Sequence, residues 1–147
     1  MSIIGIKWQR YSNQKMNREA KRWLKQAEAD LKAARDSANS ENYEWACFQS
    51  QQAGEKALKA YLYSHGYTSI TTHSLKILLK ECVKLDESFT DIDEEARILD
   101  TYYISTRYPN GIDEDMAPFE YYDEKDAEKC LKCATLILEK VKKSLKN

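Results

Sequence analysis

The sequence predicts an all-α protein, an up-and-down bundle of four to five helices, and three observations lead to this prediction. Apolar residues recur at intervals of three and four along most of the chain, which is the spacing of a single helix face. No segment shows the convincing alternation of apolar and polar residues that is typical of a strand. The 147 residues include only four glycines and two prolines, so few positions interrupt a helix.

The first predicted helix runs from about Asn17 to Ala38. Its apolar stripe has intervals of four, three, four, three and four residues, and it consists of Ala20, Leu24, Ala27, Leu31, Ala34 and Ala38. We expect residues 17–147 to form one helical domain and residues 1–16 to form a partly ordered N-terminal extension.

The second predicted helix has Ser40 as its N-cap and ends before Gly66, a residue suited to the left-handed backbone at a helix terminus. Its main stripe is rich in small side chains, which allow another helix to approach closely, and it comprises Tyr43, Ala46, Cys47, Ser50, Ala53, Gly54, Ala57 and Tyr61. A second side, about 100–140° away, carries Phe48, Glu55 and Leu62. We therefore expect this helix to pack on two sides.

The third and the last helices are predicted from their caps and stripes. Residues 73–85 form a short third helix with Thr71 or Thr72 as its N-cap. Asp123 caps the last helix, whose basic C-terminal end suits the negative end of the helix dipole. The apolar stripe of that helix comprises Ala127, Cys130, Leu131, Ala134, Ile137, Leu138, Val141 and Leu145.

The fourth predicted helix opens at Asp91, which together with Glu94 resembles a capping box. Pro109 disfavours helical backbone at the residue before it, so we expect this helix to end near Arg107. The stretch 109–122 is predicted to be an acidic, aromatic loop.

Charge and composition exclude several classes of protein. The net charge is only −1 although 32% of residues are charged, so we expect any nucleic-acid contact to be local. No segment approaches the ~20 apolar residues that a membrane span requires, and the first residues lack the apolar run of a signal peptide. Four cysteines in a chain of this length favour reduced thiols, so we expect a cytoplasmic protein.

The cysteines predict neither a metal site nor a cofactor. Cys130 and Cys133 form a CxxC pattern, but no second pair follows, and neither His65 nor His73 has ligand spacing to it. Cys130 also lies on an apolar stripe, which favours a small buried side chain. No glycine-rich phosphate loop, GxSxG or HExxH pattern occurs, so we expect neither a standard hydrolase nor a nucleoside triphosphatase.

The polar side of the second helix is the first candidate binding surface, and it is formed by Gln51, Gln52, Glu55, Lys56 and Lys59. A solvated face explains only part of this set. Gln51 and Glu55 are flanked by Phe48 and Leu62, which would be left exposed in a monomer. We therefore predict a partner surface here, most simply a second copy of the chain.

Three further residues are candidates for a site. Asp30 lies at the margin of the first apolar stripe, where an unpaired acid is costly. Arg107, beside Tyr108 and Pro109, is a candidate partner for Asp30 or for a bound phosphate. His73, at a predicted helix start, could perform acid–base chemistry or serve only in capping and packing.

Several segments together resemble the HEPN family: ACFQSQQAGEKALKAYL at 46–62, THSL at 72–75 and RYPN at 107–110, in the order and approximate spacing of that family. The segment AEADLKAA at 27–34 and the Ala-rich last helix match as well, so the resemblance spans about residues 18–145. It implies a bundle of four or five helices that commonly forms homodimers. It also implies a gene frequently placed beside a minimal nucleotidyltransferase, in toxin–antitoxin or nucleotide-modifying pairs.

Many HEPN proteins are metal-independent ribonucleases whose motif is Arg, four to six residues, then His, with the two motifs of a dimer facing each other. Here no His follows Arg107 anywhere downstream, and no other Arg has a His at that spacing. The resemblance therefore assigns Arg107, Tyr108, Pro109 and the polar side of the second helix to ligand or partner binding. The ribonuclease motif itself is incomplete.

Three functions are consistent with the sequence. The first is a dimeric nucleotide- or RNA-associated module, with Lys56, Lys59 and Arg107 as local cations, that acts with a nucleotidyltransferase partner in a toxin–antitoxin-like pair. The second is a metal-independent ribonuclease toxin with a rearranged site, in which His73 replaces the missing His. The third is a structural interaction module without a ligand, whose buried polar pairs fix helix register.

Overall fold

The computed structural model describes residues 2–3, 6–8, 13–112 and 115–146, with side chains from residue 18 onward. Within these ranges the predicted all-α helical bundle is confirmed. The α-helices are α1 (Asn13–Asn39), α2 (Tyr43–Tyr63), α3 (Leu75–Leu85), α4 (Asp93–Asp100), α5 (Pro118–Tyr121) and α6 (Glu124–Leu145). Two 3₁₀ turns, Glu87–Ile92 and Pro109–Gly111, precede α4 and α5.

Helix α2 is the centre of the bundle and packs against α1, α3, α4 and α6. Its small residues explain this position, because a Cβ atom at Gly54 would lie 2.9 Å from Leu75, 3.0 Å from Leu99 and 3.4 Å from Ile137. Four helices therefore converge at one glycine. The largest apolar side chains around it are fully buried, and each such leucine or isoleucine contributes roughly 1.5–3 kcal/mol to stability.

A small antiparallel sheet, which the sequence did not predict, joins the N-terminal segment to the chain after α2. Its strands are β1 (Ser2–Ile3), β2 (Ile6–Trp8) and β3 (Tyr67–Thr68), and Trp8 pairs with Tyr67. Strands of two or three residues are too short to show a period of two. Gly66, just before β3, has the left-handed φ of 89° that the sequence predicted.

Three predicted N-caps are wrong. Asp91 does not cap the fourth helix, because it lies within a 3₁₀ turn and Ile92 is the N-cap of α4. The N-cap of α2 is Asn42 instead of Ser40, because Ser40 lies in the turn after α1. Helix α3 starts at Leu75, and Ser74 replaces Thr71 or Thr72 as the cap by accepting a hydrogen bond from the Ile77 amide. Asp100 of α4 reinforces this cap, since its carboxylate accepts from the Leu75 and Lys76 amides.

The fourth helix is shorter than predicted. It begins at Asp93 after a 3₁₀ turn and ends at Asp100, and residues 101–108 form turns instead of continuing as helix to Arg107. The stretch 109–122 is also more regular than a loop, because it contains the second 3₁₀ turn and α5. By contrast, the Asp123 cap of α6 is confirmed: its carboxylate accepts from the Asp126 amide at 3.1 Å.

All four cysteines are free and buried, which confirms Cys130 as a core side chain. Burial raises the pKa of Cys133 to about 11, and a hydrogen bond with Cys47 together with burial raises the pKa of Cys130 further. Among the described residues no group of His, Cys, Asp and Glu could hold a metal ion. No helix in the described part of the chain is long and apolar enough to cross a membrane.

Candidate functional site

A cluster of polar side chains, here called the polar cluster, lies between α2 and the segment that precedes α3. Gln51, Glu55 and Lys59 project from one side of α2, and all three are buried. The Glu55 Oε2 atom accepts a hydrogen bond from Lys59 Nζ at 2.8 Å and lies 3.1 Å from His73 Nδ1. The Gln51 amide donates to the His73 carbonyl at 3.3 Å. The polar cluster therefore consists of these three residues and His73.

Glu55 places the His73 imidazole at the edge of the cluster. A carboxylate only accepts hydrogen bonds, so the Nδ1 atom of His73 is the donor and the Nε2 atom is left for solvent or a ligand. The His73 side chain is 55% exposed, whereas those of Glu55 and Lys59 are 4% exposed. A buried ion pair thus holds an exposed imidazole in one orientation, as the carboxylate partners of functional histidines do.

Arg107 lies beside this cluster in a sheath of aromatic rings. Its guanidinium carbon is 4.5 Å from the ring centroid of Phe48, 4.8 Å from that of Tyr103 and 5.3 Å from that of Tyr108. Its Nε atom donates to the Tyr103 carbonyl at 3.1 Å. Cation–π contacts of this kind contribute about 0.5–2 kcal/mol each and fix the plane of the guanidinium. No carboxylate of the described residues pairs with Arg107.

Tyr103 connects Arg107 to the polar cluster. The His73 ring stacks on the Tyr103 ring with centroids 5.4 Å apart and an angle of 18° between their planes. The same Tyr103 ring contacts the Arg107 guanidinium. The fold therefore brings together the second helix, the THSL segment and the RYPN segment, which are distant from one another in sequence.

The predicted alternative of an ion pair between Asp30 and Arg107 is wrong. Asp30 instead pairs with Lys56, whose Nζ atom lies 2.6 Å from its carboxylate, and it also accepts from Gln26 at 2.8 Å. Lys56 lies eight residues beyond Phe48 on α2, about 12 Å along the helix axis. Because Arg107 contacts Phe48, it lies too far along α2 to reach Asp30. Its other predicted role, as a phosphate ligand, stays a prediction.

The prediction that Phe48 and Leu62 of α2 would be exposed in a monomer, and would therefore need a partner surface, is also wrong. Gln51, Glu55 and Leu62 are buried within the single chain, and Phe48 is half-buried. The segment before α3 covers Gln51 and Glu55 through His73, and Arg107 covers the Phe48 ring. A second copy of the chain is not needed to keep these side chains from water.

The remaining predicted residues lie at the rim of the site. Tyr108 is exposed and contacts Arg107, and Pro109 begins the adjoining 3₁₀ turn. Gln52 donates to the Gln51 side chain at 2.8 Å. Tyr103 was not predicted as a site residue. A Tyr four residues before an Arg was the available signal, since that spacing allows stacking over one turn.

Sequence comparisons relate the chain to known proteins. The pattern that defines the HEPN domain matches residues 20–144. A protein of Methanocaldococcus jannaschii named "Putative toxin MJ1304" is 31% identical over 135 residues, which cover 86% of this chain and 88% of that protein. Human sacsin is 25% identical over 126 residues, which cover 84% of this chain but only 3% of sacsin.

Solved structures share the fold. TT1696 from Thermus thermophilus has a TM-score of 0.76 and 38% identity, over 85% of this chain and 97% of that one. ST0689, described as an archaeal HEPN homologue, has a TM-score of 0.71 and 40% identity, over 86% and 97% of the two chains. From its match over residues 20–144 and these similarities, the chain belongs to the HEPN domain family.

Proposed function

We propose that this protein is a toxin-like HEPN module that binds the phosphate groups of a nucleotide or RNA at Arg107 and His73. It acts as a homodimer and has a minimal nucleotidyltransferase as its partner. Similarity to a protein named as a toxin supports the first part of this proposal. The geometry around Arg107 carries the claim of phosphate binding.

Arg107 has the properties of a phosphate ligand. Its Nε atom is occupied by the Tyr103 carbonyl, and its two terminal amino groups have no hydrogen-bond partner among the described residues. Two parallel N–H groups match two oxygens of a phosphate. The aromatic sheath fixes the guanidinium before a ligand arrives, so little side-chain entropy is lost on binding.

His73 supplies the second contact. Its Nε2 atom has no hydrogen-bond partner in the described part of the chain, and its ring stacks on the same tyrosine that contacts Arg107. The buried carboxylate of Glu55 orients the ring by accepting from Nδ1, and an imidazole that carries a second proton would donate from Nε2 to a phosphate oxygen.

Calorimetry with AMP and ATP tests this site. Arg107→Ala is expected to weaken binding about tenfold to a hundredfold, because a hydrogen bond to a charged group contributes roughly 1.5–3 kcal/mol. The affinity of Arg107→Lys should lie between those of the parent protein and Arg107→Ala, since an ammonium keeps the charge but lacks the two-point contact. Arg97→Ala is the matched control, because Arg97 is exposed on α4 and pairs with Asp93. Equal affinity of Arg107→Ala and the parent protein would contradict phosphate binding at Arg107.

An exposed apolar patch beside Arg107 supports the homodimer. Trp45 and Tyr108 are 47% and 52% exposed; Trp45 contacts the half-buried Phe48, and Tyr108 contacts the Arg107 guanidinium that covers the Phe48 ring. Contiguous exposed aromatic side chains are typical of protein interfaces. A copy that docks on this patch would bring its own Arg107 next to the first.

Sedimentation equilibrium tests the dimer. The parent protein is expected to sediment as a dimer, and a Trp45→Ser, Tyr108→Ser double variant as a folded monomer. A parent protein that is monomeric at about 100 μM, far above the dissociation constant of a stable dimer, would contradict the proposal.

The Glu55–His73 contact favours a second candidate, metal-independent RNA cleavage. In this reaction the His73 Nε2 atom would take the proton of a ribose 2′-hydroxyl, whose oxygen attacks the adjacent phosphorus. A cyclic 2′,3′-phosphate forms as the bond from phosphorus to the 5′-oxygen breaks, and the 5′-oxygen takes its proton from water. Arg107 would stabilise the charge on the phosphate.

Expression toxicity and RNA cleavage in EDTA test this candidate. His73→Ala should abolish both, and Glu55→Gln should weaken both because the imidazole loses its orienting partner. His65→Ala is the control, because His65 contacts Tyr61 and Ser64 and not the polar cluster. A His73→Ala protein as toxic as its parent would exclude this mechanism.

Co-purification tests the nucleotidyltransferase partner. The product of a neighbouring nucleotidyltransferase gene is expected to form a stable complex with this chain and to suppress its toxicity. Separate elution of the two proteins, together with unchanged toxicity, would contradict this part of the proposal.

A further inference from the structure

We propose that a cavity beside the first turn of α6 binds a primary alkylammonium cation. The cavity has a volume of about 330 Å³, which is at the lower end of the range for small-molecule sites. Tyr102, Tyr121 and Tyr122 supply aromatic rings to its lining, and Asp126 supplies a carboxylate. Neither side chain that carries the proposed phosphate site, Arg107 or His73, lines it. This inference therefore does not depend on the proposed function.

The side-chain hydroxyl groups of the cavity donate their protons within the protein. The Thr101 hydroxyl donates to a carbonyl of α4 at 2.7 Å, and the Ser105 hydroxyl donates to the Thr101 carbonyl at 3.3 Å. The Tyr122 hydroxyl donates to the Ser105 hydroxyl, and the Tyr102 hydroxyl donates to the Asp126 carboxylate at 3.1 Å. Carbonyl and carboxylate oxygens only accept, which fixes these directions. The four hydroxyl oxygens therefore offer a ligand only their lone pairs.

Other donors in the cavity are scarce. Six lining residues use their backbone amides in hydrogen bonds to carbonyls, namely Thr101, Tyr102, Gly111, Ile112, Tyr121 and Tyr122. In the described part of the chain no lysine or arginine lines the cavity, and only the Tyr121 hydroxyl lacks an internal partner. An anion would meet oxygen lone pairs and a carboxylate here, whereas an ammonium group brings three N–H donors to them. The chemistry of the lining therefore selects a cation that donates hydrogen bonds.

The three tyrosine rings form a corner that suits a cation. The centroids of the Tyr102 and Tyr122 rings lie 5.6 Å apart at an angle of 49°, and those of Tyr121 and Tyr122 lie 5.1 Å apart at 84°. Burial raises the pKa of both Tyr102 and Tyr122, so these phenols stay neutral at physiological pH. The negative faces of aromatic rings attract cations, and several rings set at angles are the usual way in which proteins enclose an ammonium group.

The surrounding charge also favours a cation. Residues 115–128 carry six carboxylates and a single cationic side chain, Lys125. The positive end of the α6 dipole opposes this effect, but its amides are capped, because Asp123 and Asp126 each accept a hydrogen bond from the backbone amide of the other. The net field at this end of the helix is therefore negative.

The lining distinguishes a primary ammonium from related ligands. A trimethylammonium group would contact the rings but has no N–H group for the hydroxyl oxygens or for Asp126. A neutral alcohol donates one hydrogen bond and lacks the charge. A divalent metal ion needs several anionic ligands, and among the described residues no group of His, Cys, Asp and Glu could hold one.

Titration of ¹⁵N-labelled protein with butylamine at pH 7, where the amine is protonated, tests the cavity through amide chemical shifts. Saturable shifts are expected at Ser105, Gly111 and Asp126 at millimolar butylamine. Butyltrimethylammonium should bind more weakly, and butan-1-ol should give no saturable shifts there. Equal binding of butan-1-ol, tighter binding of butyltrimethylammonium, or butylamine shifts confined to another part of the bundle would overturn the inference.

Two substitutions with matched controls test the lining itself. Asp126→Asn should weaken butylamine binding about tenfold or more, because a hydrogen bond to a charged group is lost. Glu124→Gln is its control, since it removes the same charge from an exposed position outside the cavity. Equal losses in these two variants would show a response to general negative charge and would overturn the inference.

Tyr121→Leu tests the aromatic wall without altering the cap of α6. Tyr121 is 46% exposed, so the fold should tolerate this change, and butylamine binding should weaken about twofold to fivefold. Phe119→Leu is the control, because Phe119 is an exposed aromatic residue of the same short helix that does not line the cavity. Unchanged butylamine affinity in Tyr121→Leu, or an equal loss in Phe119→Leu, would contradict the cation site.

Discussion

Substitution of the buried lysine in the polar cluster tests the physical basis of the site. In Lys59→Met the ammonium is replaced by an apolar side chain of similar length, and the Glu55 carboxylate loses the partner at 2.8 Å. Both side chains are 4% exposed, so water cannot replace the missing hydrogen bond. A charge left unpaired in such a place costs more than the ion pair itself contributed to stability.

The expected loss of stability is about 3 kcal/mol. Removing one partner of a buried ion pair typically costs about 3–5 kcal/mol, and the value should lie at the lower end because His73 still contacts Glu55. With a slope near 2 kcal/mol per M, the urea midpoint should fall by roughly 1.5 M. The Glu55→Gln, Lys59→Met double variant should recover part of this loss, since no unpaired charge remains.

Urea unfolding followed by circular dichroism measures this effect, and Lys56→Met is the matched control. Lys56 lies three residues earlier on the same helix, but its pair with Asp30 is partly exposed, with side chains 23% and 17% accessible. We expect a loss of about 1 kcal/mol or less for the control. Equal effects of the two variants, or a double variant less stable than Lys59→Met, would show that the buried unpaired charge of Glu55 is not the cause of the lost stability.

Three further predictions follow from the fold. The hydrogen bond from the Asp126 amide lowers the pKa of Asp123 from 3.8, so the capping carboxylate stabilises the fold at neutral pH and this stabilisation is lost as the pH falls below about 4. The difference in unfolding free energy between the parent and Asp123→Asn, measured in urea, should therefore shrink in acid. A difference that does not change with pH would contradict the role of Asp123 as a cap. Burial should keep all four thiols unreactive with Ellman's reagent at pH 8 in the native protein, and all four should react in urea; a rapidly reacting native thiol would contradict the packing. Gly111→Ala would place a Cβ atom 2.8 Å from the Ser105 backbone, so it should lower the stability of the fold by about 1–3 kcal/mol. It should also weaken AMP binding, because the turn that carries Arg107 must move. Unchanged AMP affinity would count against the site.

The helices could be predicted from the sequence because each long one has its own periodic stripe. The stripes of α1, α2 and α6 extend over five turns or more, and each was located to within a few residues. The Asp123 cap was correct because its partner, Asp126, lies three residues away in the chain. Local signals such as these are visible without the tertiary structure.

The errors arose where distant residues decide the outcome. Asp100 of α4 caps the amides at the start of α3, and no local pattern around Thr72 reveals that contact. The predicted exposure of Phe48 and Leu62 failed because Arg107 covers the Phe48 ring and Leu62 packs in the core of the bundle. A helical wheel describes one helix and cannot indicate what covers each of its sides.

For the candidate site, too, the sequence identified individual residues but not the contacts between them. Resemblance to the HEPN family selected Arg107 and Glu55, and the position at a predicted helix start selected His73. In the structure His73 and Arg107 contact Tyr103, and Glu55 contacts His73. Their mutual contacts could not be predicted, because the angle at which the 101–108 turns leave α4 depends on packing against Phe48.

An NMR titration of isotopically labelled protein with AMP tests whether Arg107 and His73 bind phosphate, because it shows where a phosphate-bearing ligand binds. We expect the largest shift changes at the Arg107 side-chain Nε–H signal and at the His73 ring, with smaller changes around Tyr103. Saturable shifts confined to another part of the bundle, or no shifts at millimolar AMP, would contradict it.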